Sequence, residues 1–158
     1  MNQHTPLHRI SLVRERTITY PADEQLRCSA HVANVAAAML QDADREHFLV
    51  MAVNNKHRII GVNDAFVGSL TGCGVTVKEV LTYVLLSRAA AFVVAHNHPS
   101  GDTNPSKEDL AMTMRLAEAG KLLGVPLLDH VIIGWSGPEN WQYFSLADNG
   151  LMDDKEHQ

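Results

Sequence analysis

The feature that most constrains the fold is a short, uninterrupted apolar segment, AFVVA at residues 91–95. A run of this length and composition is typical of a central strand that is buried on both faces of a sheet. The flanking segments at residues 76–90 and 106–124 carry apolar residues at a spacing near 3.6, so we predict a helix in each. The chain is therefore expected to form a sheet that is covered by helices.

The rest of the chain extends this pattern. Residues 24–40 have apolar side chains at helical spacing and predict a first helix. Residues 46–54 and 57–68 are rich in Val, Ile and Phe and are joined by a turn-prone segment, which predicts an antiparallel hairpin. Further β structure is predicted at 126–134, at 141–146 and in the β-prone piece at 16–20. The predicted class is α/β, with a mixed sheet covered on both faces.

Composition limits the function classes. A chain of 158 residues with 46% hydrophobic content predicts one domain with a single core. The net charge of −5 does not favour non-specific binding of nucleic acid, which depends on Lys and Arg. Cys28 and Cys73 form no CxxC pair, so neither a disulfide framework nor a thiolate metal site is expected. The sequence has no signal peptide and no apolar run near ~20 residues, so we expect a cytoplasmic protein without a membrane partner.

The apolar segment leads into two histidines, His96 and His98, which are followed by a loop rich in Gly and Pro and then by Ser106 and Asp109. Side chains at positions i and i+2 of a strand point to the same face, so both imidazoles lie on one side of the sheet. With Ser106 at the N-cap of the next helix, Asp109 lies in its first turn. Two neutral nitrogens and one carboxylate oxygen fit a tetrahedral zinc ion with a fourth position open, as in catalytic zinc sites.

Simpler interpretations account for the same residues separately. Ser106 and Asp109 nearly match a capping box, which would explain both by hydrogen bonds at a helix end. His96 and His98 could be ordinary surface histidines with no ligand role, whereas the metal site needs all four residues together. A zinc deaminase is excluded because no Pro-Cys-x-x-Cys is present, and the TGCG at 71–74 lacks the ending of a phosphate-binding loop. Cys73 within it is expected to be structural.

The spacing His96-x-His98, seven residues, Ser106, two residues, Asp109 resembles the JAMM motif of the MPN+ metallopeptidases, H-x-H-x7-S-x2-D. The surrounding HNHPSGDTNPSKED and the downstream LLGVPLLDHVIIG are similar to the bacterial RadC family. The resemblance implies an MPN (JAB) fold over residues 14–152, a three-layer α/β/α sandwich similar to cytidine deaminases, with residues 1–13 and 153–158 as flexible termini. It also implies Zn²⁺ held by His96, His98 and Asp109.

The resemblance implies two catalytic residues as well. The family uses a glutamate at the start of the strand after the first long helix to deprotonate the attacking water, and Glu46 occupies that place. Asp42 and Asp44 lie in the same loop and stay open as alternatives. Ser106 would donate a hydrogen bond to the oxyanion of the tetrahedral intermediate. His130 could support the metal ligands from outside the coordination shell, but we expect a strand histidine satisfied by the backbone and do not count it as a ligand.

These expectations combine into a zinc-dependent hydrolase of amide bonds, a metallopeptidase or isopeptidase with a peptide or protein substrate. Two other functions stay open: a RadC-type interaction module in DNA repair or replication that keeps a structural zinc, and a DNA-processing enzyme, which the acidic balance disfavours. RadC proteins commonly carry an N-terminal helix-hairpin-helix region that contacts DNA. This chain is too short to contain one, so nucleic acid is not expected as a partner.

Overall fold

The computed structural model describes residues 5–20, 25–68 and 74–152, so Cys73, residues 1–4 of the predicted N-terminal tail and the whole predicted C-terminal tail at 153–158 lie outside it. Within these residues the elements follow in the order α1 (Ser29–Leu40), β1 (His47–Val53), β2 (Ile59–Val67), α2 (Val77–Leu86), β3 (Ala91–Asn97), α3 (Lys107–Leu122), β4 (Leu127–Gly137) and β5 (Asn140–Ser145). The predicted order of helices and strands is confirmed, although α1 begins only at Ser29, after the extended backbone of Cys28.

The predicted β structure at residues 16–20 is wrong, because this segment forms no strand. β propensity produces a strand only where a neighbouring strand completes the hydrogen-bond ladder, and this segment joins no ladder of the described sheet. No helix in the described ranges is long and apolar enough to cross a membrane.

The five strands form one mixed sheet in the order β2-β1-β3-β4-β5, which places β3 at the centre. β1 pairs antiparallel with both β2 and β3, β3 and β4 are parallel, and β5 returns antiparallel to β4. The parallel step requires a crossover, which α3 supplies. All seven residues of β3 are buried, which confirms the central strand predicted from its apolar sequence.

Helices cover both faces of the sheet, so the predicted three-layer α/β/α arrangement is confirmed. One core cluster joins α1 to side chains such as Leu49 and Val93. The other lies beneath α2 and α3 and includes Phe48, Val94 and Leu116. Because strand side chains alternate between faces, the even-numbered residues of β3 point toward α2 and α3. That alternation decides the side of the sheet on which the histidines lie.

Two glycines bring the loop after β3 onto the backbone of β4. Gly101 has a positive φ of 84°, and a Cβ added there would lie 2.5 Å from the carbonyl oxygen of Trp135. A Cβ added at Gly134 would overlap the carbonyl group of Gly101. This close approach needs glycine on both sides, and it holds the loop that connects β3 to the start of α3.

Candidate metal centre

The three predicted ligands meet where β3 ends and α3 begins. His96 lies near the end of β3 and is fully buried, His98 follows two residues later, and Asp109 lies in the first turn of α3. The Nε2 atoms of His96 and His98 are 2.9 Å apart, and the Asp109 carboxylate lies 3.2 Å from each of them. One ligand atom from each residue falls within 4.8 Å of the others. The structure therefore brings together a group that could hold a metal ion.

The ring of His98 is oriented by the loop that follows it. Its Nδ1 lies 2.6 Å from the carbonyl oxygen of Asp102. A carbonyl oxygen can only accept, so Nδ1 carries the hydrogen of the neutral ring and Nε2 presents a lone pair. The ring of His96 is held by packing, since Phe48 stacks on it with a centroid distance of 5.8 Å and an angle of 14°. Both rings therefore present Nε2 toward the Asp109 carboxylate.

The electrostatics of this group favour a positive charge at its centre. Burial by itself would raise the pKa of Asp109, but the neighbouring imidazoles of His96 and His98 outweigh it and hold the pKa far below its usual range. The hydrogen bond with Asp109 raises the pKa of His98 against the opposing effect of burial. Facing ring nitrogens beside a carboxylate repel one another unless a cation lies between them. The donor set thus fits a bound metal ion.

Ser106 and Asp109 also form the capping box of α3. The Asp109 backbone N–H donates to Ser106 Oγ at 3.0 Å, and the Ser106 N–H donates to Asp109 Oδ2 at 2.8 Å. The same carboxylate faces His96 through its other oxygen, Oδ1. The capping interpretation and the ligand interpretation are therefore compatible, because Oδ1 faces His96 while Oδ2 accepts the Ser106 N–H and also lies 3.2 Å from His98 Nε2.

Replacing Asp109 with Asn separates these two roles. If the carboxylate only caps α3, Asp109→Asn should cost at most about 1 kcal/mol of unfolding free energy and leave metal affinity unchanged. We expect the affinity for zinc to fall severalfold or more while the helix survives, because the amide still accepts the Ser106 N–H but has lost the negative charge. Titration with zinc and thermal unfolding measure the two effects.

The matched control is Glu79→Gln, since Glu79 is the corresponding residue of the capping box at the start of α2, where it accepts from Thr76 N–H at 2.9 Å. It should affect stability alone. Equal zinc affinity in Asp109→Asn and the parent protein would contradict the assignment of Asp109 as a ligand.

Glu46 directly precedes β1 and is partly buried. The antiparallel register pairs Phe48 with His96, and continuing it by two residues on each strand places Glu46 opposite His98. Its charge contributes to the raised pKa of His98. Asn97 holds the peptide groups on either side of Glu46, because its amide donates to the Arg45 carbonyl at 2.9 Å and accepts from the His47 N–H at 2.7 Å. The backbone of Glu46 is therefore fixed beside the cluster.

The two alternative acids lie farther out in the loop. Asp42 and Asp44 are both exposed. The Asp44 carboxylate pairs with the guanidinium of Arg45 at 2.9 and 3.0 Å, and this hydrogen bond lowers the pKa of Asp44. Neither residue has a contact with the histidines or Asp109 among the described interactions. Of the three acids, Glu46 is the one that directly precedes β1, the strand that pairs with β3.

Two residues of the site were not predicted from the sequence, and a third was predicted to have different partners. Asn97 was the unassigned residue between the histidines, and Thr113 was an ordinary helix residue one turn after Asp109. His130 was expected to be satisfied by the backbone, and this prediction is wrong, because its ring nitrogens contact the side chains of His96 and Thr113. A histidine within the apolar LLDHVIIG was the available signal, since a buried imidazole needs polar partners.

Comparison with known proteins agrees with this architecture. The RadC-like JAB domain family matches residues 26–151 of the chain. That match lies inside the predicted domain at 14–152, whose boundaries stay a prediction. A UPF0758 protein of Desulforamulus reducens is 37% identical over 139 residues, which cover 87% of this chain and 59% of that protein.

A UPF0758 protein of Staphylococcus haemolyticus is 38% identical over 136 residues, covering 86% of this chain and 54% of the relative. A UPF0758 protein of Clostridium acetobutylicum is 38% identical over 140 residues, which cover 87% of this chain and 59% of that relative. The chain thus spans a little over half the length of these relatives. With a family match over most of its length and a mixed sheet between helical layers, the chain belongs to the RadC-like JAB domain family.

Proposed function

We propose that this chain is a zinc-dependent hydrolase that cleaves amide bonds in a peptide or protein substrate. The observation that carries the proposal is the convergence of His96, His98 and Asp109, with a partly buried acid, Glu46, next to them. A helix cap alone requires neither the paired imidazoles nor Glu46. The combination is that of a hydrolytic metal site.

The donor set supports zinc as the metal. Imidazole nitrogen and carboxylate oxygen are both common zinc ligands, and three protein ligands leave one position for water or substrate. When bound, zinc would polarise the scissile carbonyl and lower the pKa of a water molecule toward ~7. His96, His98 and Asp109 are the residues that would hold it.

Glu46 and Ser106 would supply the remaining chemistry. Glu46 lies opposite His98, where its carboxylate can accept a proton from the attacking water and deliver it to the leaving amine. The Ser106 oxygen accepts the Asp109 N–H, so its own hydrogen stays available to donate to a developing oxyanion. The capping box thereby keeps the hydroxyl group at the start of α3.

Metal content is the first test of this proposal. Because three ligands surround one open position, the purified protein should hold about one zinc ion per chain. Elemental analysis of the protein as purified and after reconstitution measures this ratio. A protein without zinc after reconstitution would contradict the proposed function.

Substrate class requires a second experiment on the zinc-loaded protein. A peptide library and DNA would be incubated with the enzyme, with a chelator-treated sample as the control. Cleavage of peptides that requires zinc supports the proposal. Zinc binding without cleavage of either substrate would instead favour the RadC-type interaction module, and zinc-dependent cleavage of DNA would favour a DNA-processing enzyme.

A further inference from the structure

A series of hydrogen bonds leads from the group formed by His96, His98 and Asp109 into the core and returns to Asp109. His96 Nδ1 lies 2.8 Å from His130 Nε2, and His130 Nδ1 lies 2.6 Å from Thr113 Oγ1. The Thr113 hydroxyl donates to the backbone carbonyl of Asp109 at 2.7 Å. His96, His130 and Thr113 are each 0% exposed. This series of hydrogen bonds therefore begins at one proposed ligand, His96, and ends on the backbone carbonyl of another, Asp109.

The carbonyl of Asp109 sets the direction of every hydrogen bond in this series. A carbonyl oxygen only accepts, so the single hydrogen of Thr113 is directed to it, and the Thr113 oxygen must accept from His130 Nδ1. In a neutral His130 ring, Nε2 is then the acceptor, and His96 must donate to it through Nδ1. This leaves Nε2 of His96 with its lone pair toward Asp109 and His98. The reverse direction would put a hydrogen on that nitrogen and block a metal ion.

We propose that Thr113 and His130 are positioning residues that hold His96 in the tautomer required for metal binding. The inference rests on the proposed metal site, and it assigns a role to two side chains outside the His96, His98 and Asp109 group. Because Thr113 and Asp109 share the first turns of α3, the helix that carries one ligand also sets the tautomer of another. Hydrogen bonds of this kind to a ligating histidine typically change metal affinity by about 10–100-fold.

Thr113→Val tests the direction of this series of hydrogen bonds, because Val keeps the shape of Thr and removes only the hydroxyl group. His130 Nδ1 then loses its acceptor, so the hydrogen bonds no longer favour the tautomer of His96 that carries its hydrogen on Nδ1. We expect zinc affinity, measured by competition with a chromophoric chelator, to fall by about 10–100-fold. Thr113→Ser keeps the hydroxyl group and should restore affinity close to that of the parent.

Thr82→Val is the matched control, since Thr82 makes the same bond to the carbonyl four residues earlier, Lys78 O at 2.7 Å, on the exposed side of α2. It should leave zinc affinity unchanged. Equal affinities for Thr113→Val and the parent would overturn the proposal while leaving the metal site in place.

The tautomers of His130 and His96 can also be measured in the parent protein, without any substitution that could disturb folding. Nitrogen-15 NMR of the metal-free protein, at a pH where the site histidines are neutral, should find hydrogen on Nδ1 of His130 and on Nδ1 of His96. Hydrogen on Nε2 of His130 would overturn the proposal whatever the zinc titrations give. A parent protein that binds no zinc would contradict the proposed function, and the NMR result would still decide the direction of this series of hydrogen bonds.

Discussion

Glu46→Gln is expected to lower the rate of amide hydrolysis by about 10²–10⁴-fold while zinc content and fold stay unchanged. The amide keeps the size and hydrogen bonding of the carboxylate but cannot accept a proton from water. The backbone at residue 46 should not move. Asn97 binds the peptide groups on both sides of this residue, and the Gly68 N–H donates to the Glu46 carbonyl at 2.6 Å. The measurements are kcat/KM on any peptide that the parent cleaves and zinc content by elemental analysis.

Asp44→Asn is the matched control for Glu46→Gln, because it makes the same chemical change in the same loop at an exposed carboxylate paired with Arg45. It should retain the parental rate. Parental turnover in Glu46→Gln with a loss of activity in Asp44→Asn would mean that Asp44 is the general base. Loss of zinc together with activity in Glu46→Gln would place Glu46 among the ligands instead.

His96→Ala should abolish zinc binding, since the two remaining side chains, His98 and Asp109, hold the ion poorly. The parent protein should gain thermal stability when zinc is added, because a ligand that binds only the folded state stabilises it by mass action. The variant should show no such gain. This comparison of Tm with zinc and with chelator separates the loss of the site from any loss of packing, because His96 is buried against Phe48.

His47→Ala is the control for His96→Ala. His47 lies at the start of β1, and its Nδ1 is 2.7 Å from Asp64 Oδ2, so its partner is not one of the three proposed ligands. The substitution removes a histidine close to the site and its contact with Asp64, yet zinc should still raise the Tm. A zinc-dependent rise in Tm that persists in His96→Ala would show that the ion binds elsewhere in the protein.

The sequence by itself determined those parts of the site that lie within one element. Alternation along a strand puts His96 and His98 on one face wherever that strand lies in the sheet. The N-cap pattern of Ser106 and Asp109 likewise depends on the few residues at the start of α3. The apolar sequence of β3 required burial on both sides, and hence a central place in the sheet. Periodicity and capping are local, so a linear sequence contains them.

Only the tertiary structure decided which atoms of different elements meet. Continuing the register of β1 and β3 by two residues places Glu46 opposite His98, a relation that the sequence does not contain. The contacts of His130 required β4 to lie parallel beside β3 and α3 to cross over them, and residues 16–20 formed no strand because no ladder included them. Strand register and helix packing arise from the burial of the whole core. Contacts between distant residues therefore follow from the assembled fold rather than from any one segment.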